Sequence, residues 1–346
     1  MKSRIEQQIK NFGFQRFGFA ALTAPLSMEH YRQWIKDQYH GEMAYLETHV
    51  QQKQEAHRVL PSAQSAIVVA IDYLPHPHPT STPIKKSRVA LYARGEDYHH
   101  WFKKQLQALA LALKDEFSDH EFLAITDSGP VLERDLAYRA GLGWVGKNTC
   151  LIDQKNGSLF FIGEIYCSLP PATFELGSSA VALHPDRCGT CTRCIDACPT
   201  QALVEAKKLD ATKCISYWTI ESKSNPPLAL RPHIGDWLFG CDICQTVCPW
   251  NEKAFGKSEM QAMVPKLLAS DVDLIDELHW ILTTSNKQIQ KKLHGSPLLR
   301  AGGVGLKRNA LIITANHKLA ALKADVVALA DHPRLGDLAQ WTLDQL

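Results

Sequence analysis

Two short cysteine runs decide the fold of this chain: CGTCTRCIDACPT at residues 188–200 and GCDICQTVCPWN at residues 240–251. The first run has the spacing Cys-x2-Cys-x2-Cys-x3-Cys-Pro, in which three thiolates bind one [4Fe–4S] cluster and the fourth binds a second cluster. The second run lacks the first cysteine of this pattern, because Leu238 occupies its position, and Cys214 can complete the count. The sequence therefore predicts a ferredoxin-like segment with two [4Fe–4S] clusters.

Crossing the fourth ligands divides the eight cysteines into two sets. The first set is Cys188, Cys191, Cys194 and Cys248, and the second set is Cys198, Cys214, Cys241 and Cys244. A pair of structural zinc sites is the alternative, since tetrahedral thiolates also suit zinc. The order x2-x2-x3-Pro favours the clusters. Cys150 and Cys167 stand apart, and we expect them to be buried thiols.

Size and composition support metal binding rather than disulfides. The chain has 346 residues, of which 45% are hydrophobic and 21% charged, so it can bury a core without covalent staples. Its N-terminal residues lack the apolar core of a signal peptide, and no apolar stretch is long enough to cross a membrane. We therefore expect a cytoplasmic protein. The net charge of +2 means that an anionic partner must meet a local basic patch.

The periodicity of the chain indicates three regions. Residues 1–167 alternate helical patterns with short apolar β-branched runs and predict an α/β domain, with helices at 1–12, 28–46 and 98–117 and strands at 65–74, 88–95 and 158–167. Residues 168–265 hold the eight cluster cysteines and many prolines. Residues 266–346 show helical repeats that resemble stacked helix pairs.

A second candidate site lies in TDSGPVLERDLAYRAGLGWVGKNT, residues 126–149. Its glycines at 141, 143 and 146 match G-x-G-x-x-G, but they follow a predicted helix, whereas a dinucleotide fingerprint follows a strand. Such glycines still allow a large flat ligand to approach the backbone. Asp135 lies among apolar residues, and burial there would raise its pKa and make it a proton donor. Alternatively, Asp135 pairs with Arg134 or Arg139.

The strings YARGEDYH (92–99) and GPVLERDLAYRAGLGWVGKNT (129–149), together with both cysteine runs, resemble the epoxyqueuosine reductase family over nearly the whole chain. The resemblance implies a cobalamin-dependent iron–sulfur enzyme, related to reductive dehalogenases, with a HEAT-like C-terminal region. It would remove the epoxide oxygen of epoxyqueuosine at the wobble position of tRNAs with GUN anticodons. A monomer served by an external electron donor is implied as well.

The same resemblance suggests the roles of individual residues. It makes Asp135 the proton donor, and it suggests Arg58, Tyr98, Asn148, Ser158, Ser216 and Asp242 as contacts of cobalamin or substrate. Cobalamin itself has no fingerprint here. Asp97 and His99 begin a D-x-H-x-x-G pattern, but Phe102 replaces its glycine. That absence fits a family that holds cobalamin without a histidine ligand.

The RNA partner has some support in the charge pattern. Residues 278–324 contain no acidic residue but eight basic ones, namely Lys287, Lys291, Lys292, Arg300, Lys307, Arg308, Lys318 and Lys323. Such a block suits phosphate contacts, although a solvated helical face is the alternative. Expected tRNA contacts are Lys223, Arg231, Arg300, Lys307 and Arg308. Tyr217 and Trp218 either stack on bases or belong to the core, and we expect at least one to be core.

Two other functions remain open. A reductive dehalogenase is disfavoured because such proteins usually carry a twin-arginine export signal and need no acid-free basic segment. A two-cluster electron carrier that docks to a larger complex belongs to a different class. Salt-sensitive binding of tRNA would argue against the carrier.

Overall fold

The computed structural model of the chain describes residues 1–74, 84–176, 183–256 and 271–346. The helices are α1 (Lys2–Asn11), α2 (Met28–Lys36), α3 (Tyr45–Thr48), α4 (Val50–Gln54), α5 (Tyr98–Glu116), α6 (Glu133–Arg139), α7 (Arg193–Asp196), α8 (Ile215–Ile220), α9 (Arg231–Ile234), α10 (Ile243–Thr246), α11 (Pro249–Phe255), α12 (Asp271–Thr283), α13 (Asn286–Lys292), α14 (Gly302–Asn316), α15 (Lys323–Val327) and α16 (Gly336–Leu343). The strands are β1 (Arg16–Ala21), β2 (Ser65–Asp72), β3 (Arg88–Val89), β4 (Phe122–Ile125), β5 (Trp144–Val145), β6 (Leu151–Ile152), β7 (Phe160–Cys167), β8 (Leu203–Glu205), β9 (Lys208–Leu209) and β10 (Trp237–Phe239).

The N-terminal half is built on a four-stranded sheet with the order β1-β2-β7-β4. Every neighbouring pair in it is antiparallel. Side chains alternate between its faces, so Ile67 and Val69 pack under α1 and α5, while Ala66, Val68 and Ala70 pack on the other face with α6. The fold is therefore mixed α/β, as the sequence predicts, with helices on both faces of the sheet.

Helix α5 covers one face of the sheet. Asp97 caps its first turn, since its carboxylate accepts the backbone N–H of His99 at 3.1 Å. Phe102, Leu106, Leu109 and Leu113 form one buried stripe along it. Gly163 of β7 makes the close approach possible, because a Cβ there would lie 2.5 Å from Leu106 and 2.8 Å from Phe102.

The cysteine segment consists of short helices linked by turns. Helices α7 and α10 each lie between two cysteines, and α11 begins with Pro249 directly after Cys248. Proline suits this first helical position because its missing N–H has no intrahelical partner there. Cys194 lies within α7 and Cys244 within α10, whereas the other six cluster cysteines lie at non-helical positions between these short elements.

The C-terminal helices do not pack as a separate body. The buried residues 237–239 of β10 share one core with Leu278 of α12, Leu306 of α14 and Leu338 of α16. Strand β10 also pairs in parallel with β3 of the N-terminal half. The predicted division at 265/266 lies outside the described residues, and the apolar core extends across it.

Two sequence expectations need correction. The predicted helix 28–46 ends at Lys36, because Gln38 and Gly41 adopt φ angles of 60° and 59°, which a right-handed helix excludes. The predicted strand 88–95 is extended only at Arg88–Val89 and then forms a 3₁₀ turn at Leu91–Ala93. Within the described ranges, no helix has the length and apolarity needed to cross a bilayer.

Candidate functional site: two cysteine sets and a buried acidic cluster

Electrostatic interactions link the thiols of each predicted cysteine set. In the first set, Cys194 is close enough to Cys188 and Cys191 to interact electrostatically, and Cys248 is similarly close to Cys188. Burial raises the pKa of the Cys248 thiol to about 11. Binding of iron to such a thiol would release its proton.

The second set forms in the same way. Cys241 interacts with Cys214 and Cys198, and Cys244 interacts with Cys241 and Cys214. Among the residues described, no three His, Cys, Asp or Glu side chains converge closely enough to hold a single metal ion.

Buried amides fasten the cluster segment to the sheet domain. Asn251, three residues after Cys248, is fully buried and accepts the backbone N–H of Ser158 at 2.6 Å. Its amide donates to the Ser158 hydroxyl at 3.0 Å and to the Gln245 carbonyl at 2.7 Å. Asn148 donates to the carbonyl of Cys244 at 3.2 Å. These polar contacts therefore fix the second cysteine run relative to Asn148 and to Ser158, which precedes β7.

Cys150 differs from the sequence expectation of an isolated thiol. It is half-buried, and its side chain is close enough to Cys244 to form a hydrogen bond, which lowers the pKa of Cys150. Cys167 is a fully buried thiol in β7, as expected, and burial raises its pKa to about 12.

The other part of the site is an acidic cluster on the α6 face of the sheet. Glu164 of β7 lies opposite Val68 and Ile125 in the sheet register and is 0% exposed. Within the described chain, neither of its carboxyl oxygens has a hydrogen-bond partner. Burial raises its pKa well above the ordinary value, and nearby Glu133 and Asp127 add to the effect.

Glu133 begins α6 and is the acidic group that sequence reasoning missed. Its Oε1 atom is buried without a partner among the described residues. Burial, reinforced by the charge of Asp127, raises the pKa of Glu133 to about 8, although Arg134 and Lys53 oppose the shift. The sequence signal was a glutamate that directly follows the apolar residues 130–132 and lies one position before the solvent-facing side of the helix begins.

A half-buried histidine lies at the edge of this cluster. His99 holds Asp97 through Nδ1 at 2.6 Å and Asp127 through Nε2 at 3.0 Å. Burial alone would lower the pKa of His99, but the hydrogen bonds to both carboxylates raise it to about 10. Tyr98 donates its hydroxyl to Asp127 and stacks on Phe161 with ring centroids 4.1 Å apart. Because both nitrogens of His99 are engaged, neither is free to bind a metal.

Asp135 lies outside the acidic cluster and is ion-paired. It is 5% exposed, accepts Nε of Arg139 at 2.8 Å and accepts the backbone N–H of Ser27 at 2.7 Å. Arg139 also donates to the carbonyl of Ala21 at 3.0 Å. The ion pair with Arg139, one of the two sequence interpretations, is therefore present in the structure.

The predicted cofactor contacts are dispersed. Asn148, Ser158 and Asp242 are buried and bonded to protein groups, with Asp242 accepting the backbone N–H of Leu91 at 2.6 Å. Burial raises the pKa of Asp242 to about 6. Arg58 is bonded to Glu55 at 2.6 Å, and Ser216 is half-buried in α8. Only Tyr98 of this group belongs to the acidic cluster.

The glycines of the 141–146 loop serve the packing of the chain on itself. A Cβ at Gly143 would collide with the carbonyl of Ile152, and one at Gly146 would collide with its side chain. The expectation that both glycines admit a flat ligand is therefore wrong for these two positions.

Residues next in sequence to the acidic cluster and to its charged neighbour Lys53 also carry buried polar atoms that lack a partner among the described residues. Besides Glu133 and Glu164, the buried atoms without a partner in the described ranges include Oγ1 of Thr126 and Oε1 of Gln52. Thr126 precedes Asp127, and Gln52 precedes Lys53, whose charge acts on Glu133. Buried polar atoms are almost always satisfied, so these positions fit a ligand that carries several amide groups, as the rim of a corrin does.

The predicted tRNA contacts divide into surface and interior groups. Lys223 and Arg300 are exposed and Lys307 is half-buried, whereas Arg231 and Arg308 are buried. Arg308 donates to the carbonyls of Trp218, Ser222 and Ser224. The Arg231 guanidinium lies 4.9 Å from the Trp341 ring centroid. The two buried arginines therefore stabilise the fold. Neither is placed to contact a tRNA phosphate. Tyr217 and Trp218 are both core residues.

Arg300 connects the basic surface with the acidic cluster. Its guanidinium makes two hydrogen bonds to Glu221, at 3.1 and 2.9 Å, and lies 5.9 Å from the ring of Tyr45. Burial raises the pKa of Tyr45, and the charges of Glu221 and Asp127 contribute to the shift. Asp127 is thus within electrostatic range of the exposed Arg300–Tyr45 edge.

Comparison with known proteins agrees with this arrangement. The family model "4Fe-4S double cluster binding domain" matches residues 187–251, and "Epoxyqueuosine reductase QueG, DUF1730" matches residues 53–128. An epoxyqueuosine reductase from Pseudomonas aeruginosa is 38% identical over 324 residues, covering 91% of this chain and 86% of that protein.

Solved structures extend the similarity to the fold. An epoxyqueuosine reductase crystallised with an epoxyqueuosine-modified tRNA-Tyr stem loop superposes with a TM-score of 0.77 at 26% identity, covering 99% of this chain and 89% of that chain. The Bacillus subtilis enzyme, described with its catalytic aspartate loop swung out of the active site, superposes with a TM-score of 0.78 at 26% identity, covering 99% and 90%. With two cysteine sets, a matching fold and 38% identity across nearly its whole length, the chain belongs to the epoxyqueuosine reductase family.

Proposed function

We propose that this protein reduces epoxyqueuosine to queuosine at the wobble position of tRNA. The observation that carries the proposal is the presence, in one fold of this family, of two cysteine sets and an acidic cluster whose innermost member, Glu164, is fully buried. Removing an epoxide oxygen as water and leaving a C=C bond takes two electrons and two protons. The cysteine sets account for electron delivery, and the acidic cluster accounts for proton delivery.

The electron-carrying groups in this proposal are two [4Fe–4S] clusters and cobalamin. Cys188, Cys191, Cys194 and Cys248 would hold one cluster, and Cys198, Cys214, Cys241 and Cys244 the other. Family membership supports cobalamin, and the unpartnered atoms of Thr126, Gln52 and Glu133 are suitable donors and acceptors for its amide groups. When bound, these groups supply single electrons at low potential to the substrate.

Glu133 is the residue we propose as the acid, in place of the predicted Asp135. With its pKa raised to about 8, Glu133 is largely neutral at pH 7 and can donate a proton to the departing oxygen. Asp135 instead accepts a hydrogen bond from Nε of Arg139 at 2.8 Å.

The groups around Glu133 set its proton affinity. Asp127 raises the pKa of Glu133, while Lys53 lowers it. His99 holds Asp127 at 3.0 Å and Tyr98 donates to the same carboxylate, so Asp127 stays in place beside the acid. This arrangement keeps a second negative charge near Glu133 and favours its protonated form.

The proposed tRNA surface consists of exposed basic residues of the C-terminal helices and the adjoining loop. Its members are Lys223, Lys287, Lys291, Lys292, Arg300, Lys318 and Lys323, with the half-buried Lys307 beside them. Its Arg300 edge reaches the Asp127 side of the acidic cluster, so an anticodon loop bound there could insert its wobble base. The wobble nucleoside of a GUN anticodon is the substrate in this proposal.

The remaining features of the proposal concern the whole protein. We infer a cytoplasmic monomer that receives electrons from an external donor, with an α/β region at 1–167, a cluster region at 168–265 and a HEAT-like helical region at 266–346. Helix pairs such as α12 with α14 and α14 with α16 pack on each other and support the helical repeat. A dehalogenase or an electron carrier would have no use for a basic surface beside the acid.

The test is turnover by the reconstituted holoenzyme. Anaerobic protein with both clusters, cobalamin, a strong reductant and epoxyqueuosine-containing tRNA should yield queuosine, detected by mass as loss of one oxygen. The reaction should depend on added cobalamin. Intact clusters without any oxygen loss would instead favour the electron carrier.

A further inference from the structure

The hairpin of β5 and β6 places a lysine on the first cysteine run. The two strands pair in antiparallel fashion, and residues 146–150 connect them. In this connection, Nζ of Lys147 donates to the carbonyl of Gly189 at 2.7 Å and to the carbonyl of Cys191 at 3.0 Å. Gly189 lies between Cys188 and Cys191 in the sequence. The ammonium group of Lys147 therefore contacts the peptides that would surround the first cluster.

The body of the hairpin holds Lys147 at this position. Trp144 of β5 and Ile152 of β6 are each 1% exposed and belong to one apolar cluster with Cys188 and Cys248 of the first set. The hairpin thus packs on two thiols of the first set, while its connecting loop binds carbonyls of the same run. A packed element of the fold, rather than a free surface side chain, brings the positive charge to the first set.

The partners of Lys147 distinguish it from other cations near the first run. Both of its hydrogen bonds go to carbonyl oxygens, which carry no net charge. Arg193 and Lys207 are each paired with a carboxylate instead, at 3.1 and 2.7 Å. Arg187 is exposed, so water and salt screen its charge, whereas Lys147 is half-buried and is screened less. Lys147 is therefore the main source of uncompensated positive charge at the first run.

The same hairpin loop meets the second cysteine run with a neutral group. Asn148, which follows Lys147, donates its amide to the carbonyl of Cys244 at 3.2 Å. The second run also has an acid of its own, Asp242, which is 2% exposed. The cation Arg94 lies within electrostatic range of this carboxyl, so positive charge reaches the second run together with an acid. The two cysteine sets thus differ in the charge that surrounds them.

We propose that Lys147 raises the reduction potential of the first cluster above that of the second. Reduction of a [4Fe–4S] cluster adds one negative charge, and a nearby positive charge stabilises the reduced form. This inference rests on the proposed function, in which both clusters deliver electrons. Lys147 thereby determines that the first cluster accepts the first electron from the external low-potential donor.

The test is a potentiometric titration of the reconstituted holoenzyme, followed by the EPR signal of the reduced clusters. The wild type should show two separate one-electron steps. Lys147→Met should lower the higher step and leave the lower step in place. We expect its one-electron equilibrium to change about tenfold, which corresponds to about 59 mV. Lys147→Arg keeps the charge and should stay close to the wild type.

Two further variants separate the charge of Lys147 from its contacts. Lys147→Gln is neutral, but its amide can still donate a hydrogen bond to a carbonyl of the run, so it should lower the higher step as Lys147→Met does. Lys155→Met is the matched control. Lys155 is exposed in the turn after β6, and its substitution removes the same charge without changing either step.

Coincident potentials in the wild type would overturn the proposal, as would an unchanged higher step in both neutral variants. An equal downward shift in Lys147→Arg would also overturn it, because the contacts of the side chain would then matter and its charge would not. Absence of turnover in the wild type would overturn the proposed function alone, since the titration needs no substrate.

Discussion

Glu133 and Asp135 are two residues apart on one short helix, yet their side chains have different surroundings. Glu133 lies beside Asp127 without a hydrogen-bond partner for Oε1 among the described residues. Asp135 points to Arg139 and to the backbone of Ser27. Residues at i and i+2 of a helix face different directions, so one carboxyl enters the acidic cluster and the other enters an ion pair.

Glu133→Gln should lower turnover about 100- to 10,000-fold, the range usual for loss of a general acid. The amide keeps the shape of the side chain but has no acidic proton. Single-turnover assays with cluster-loaded protein would measure the loss. Binding of tRNA, followed by filter retention, should stay near the wild-type value.

Asp135→Asn is the matched comparison and should act mainly on stability. Weakening the contact with Arg139 should cost about 2 kcal/mol of unfolding free energy, seen as a lower Tm of the holoprotein. Its kcat should fall much less than that of Glu133→Gln. The opposite order of the two kcat values would return the acid role to Asp135.

The pH dependence of the wild type follows from Glu133. Its pKa is raised to about 8, so the donating acid form is present below that pH and is lost above it. Turnover should therefore decline as the pH rises through about 8. A pH profile of kcat under saturating tRNA and reductant would measure it, and a flat profile from pH 7 to 9 would contradict the assignment.

At the scale of elements, buried polar side chains join helices that are distant in sequence. Arg308 and Asn309 of α14 reach the end of α8, where helical carbonyls lack intrahelical partners. Arg308 donates to Trp218 and Ser222, and Asn309 donates to Thr219 and Leu238 at 2.8 Å each. Burial lowers the pKa of Arg308 to about 10, yet it remains charged at neutral pH. This contact fixes the helical region on the cluster segment.

Arg308→Met should reduce stability by about 3 kcal/mol, because it leaves several buried carbonyls unpaired. Thermal unfolding of the holoprotein would show the loss. Its neighbour Lys307→Met is the control and should weaken tRNA binding while leaving Tm nearly unchanged. Unchanged Tm in Arg308→Met would contradict the structural role of this arginine.

Asn251→Ala tests whether the hydrogen bonds of Asn251 hold the cluster segment against the sheet domain. Three hydrogen bonds join Asn251 to Ser158 and Gln245, and Asn251 lies three residues after Cys248. Their loss should loosen the position of Cys248, so the variant should lose iron to a chelator faster than the wild type. Asn225→Ala, whose amide bonds Arg334 at 3.1 Å far along the chain, should leave that rate unchanged.

At the scale of the whole molecule, electrostatic interactions link the regions proposed for electrons, protons and RNA. Arg300 of the proposed tRNA surface lies 5.9 Å from the ring of Tyr45, which is within electrostatic range of Asp127, and Tyr92 is within electrostatic range of both Asp127 and Asp242 of the second cysteine run. The wobble base and the electron source can thus approach the same carboxyls.

Replacing Lys287, Lys291 and Lys292 of α13 by Gln should weaken tRNA binding and reduce its salt dependence. Each lost phosphate contact should lower the slope of log K against log salt by roughly 0.7–0.9. The same change at Lys103, Lys104 and Lys114, exposed on α5, removes equal charge and should leave the slope unchanged. Equal effects of the two triple variants would indicate a general charge effect instead of a tRNA surface.

The sequence by itself determined the features that depend on local spacing. The cluster motif, helix α5 with its apolar stripe, and the family resemblance all follow from residues close together along the chain. The crossed assignment of Cys248 and Cys214 stays a prediction from the ligand spacing of such motifs.

Only the tertiary structure decided which charged residues are functional. Arg308 reads as a surface cation in the sequence but is 2% exposed, and Asp135 reads as an acid but meets Arg139. Glu133 and Glu164 lie 31 positions apart, and their common environment exists only where α6 packs on β7. The charge state of a carboxyl depends on desolvation and on neighbours from other elements, and neither quantity is encoded in the local sequence pattern.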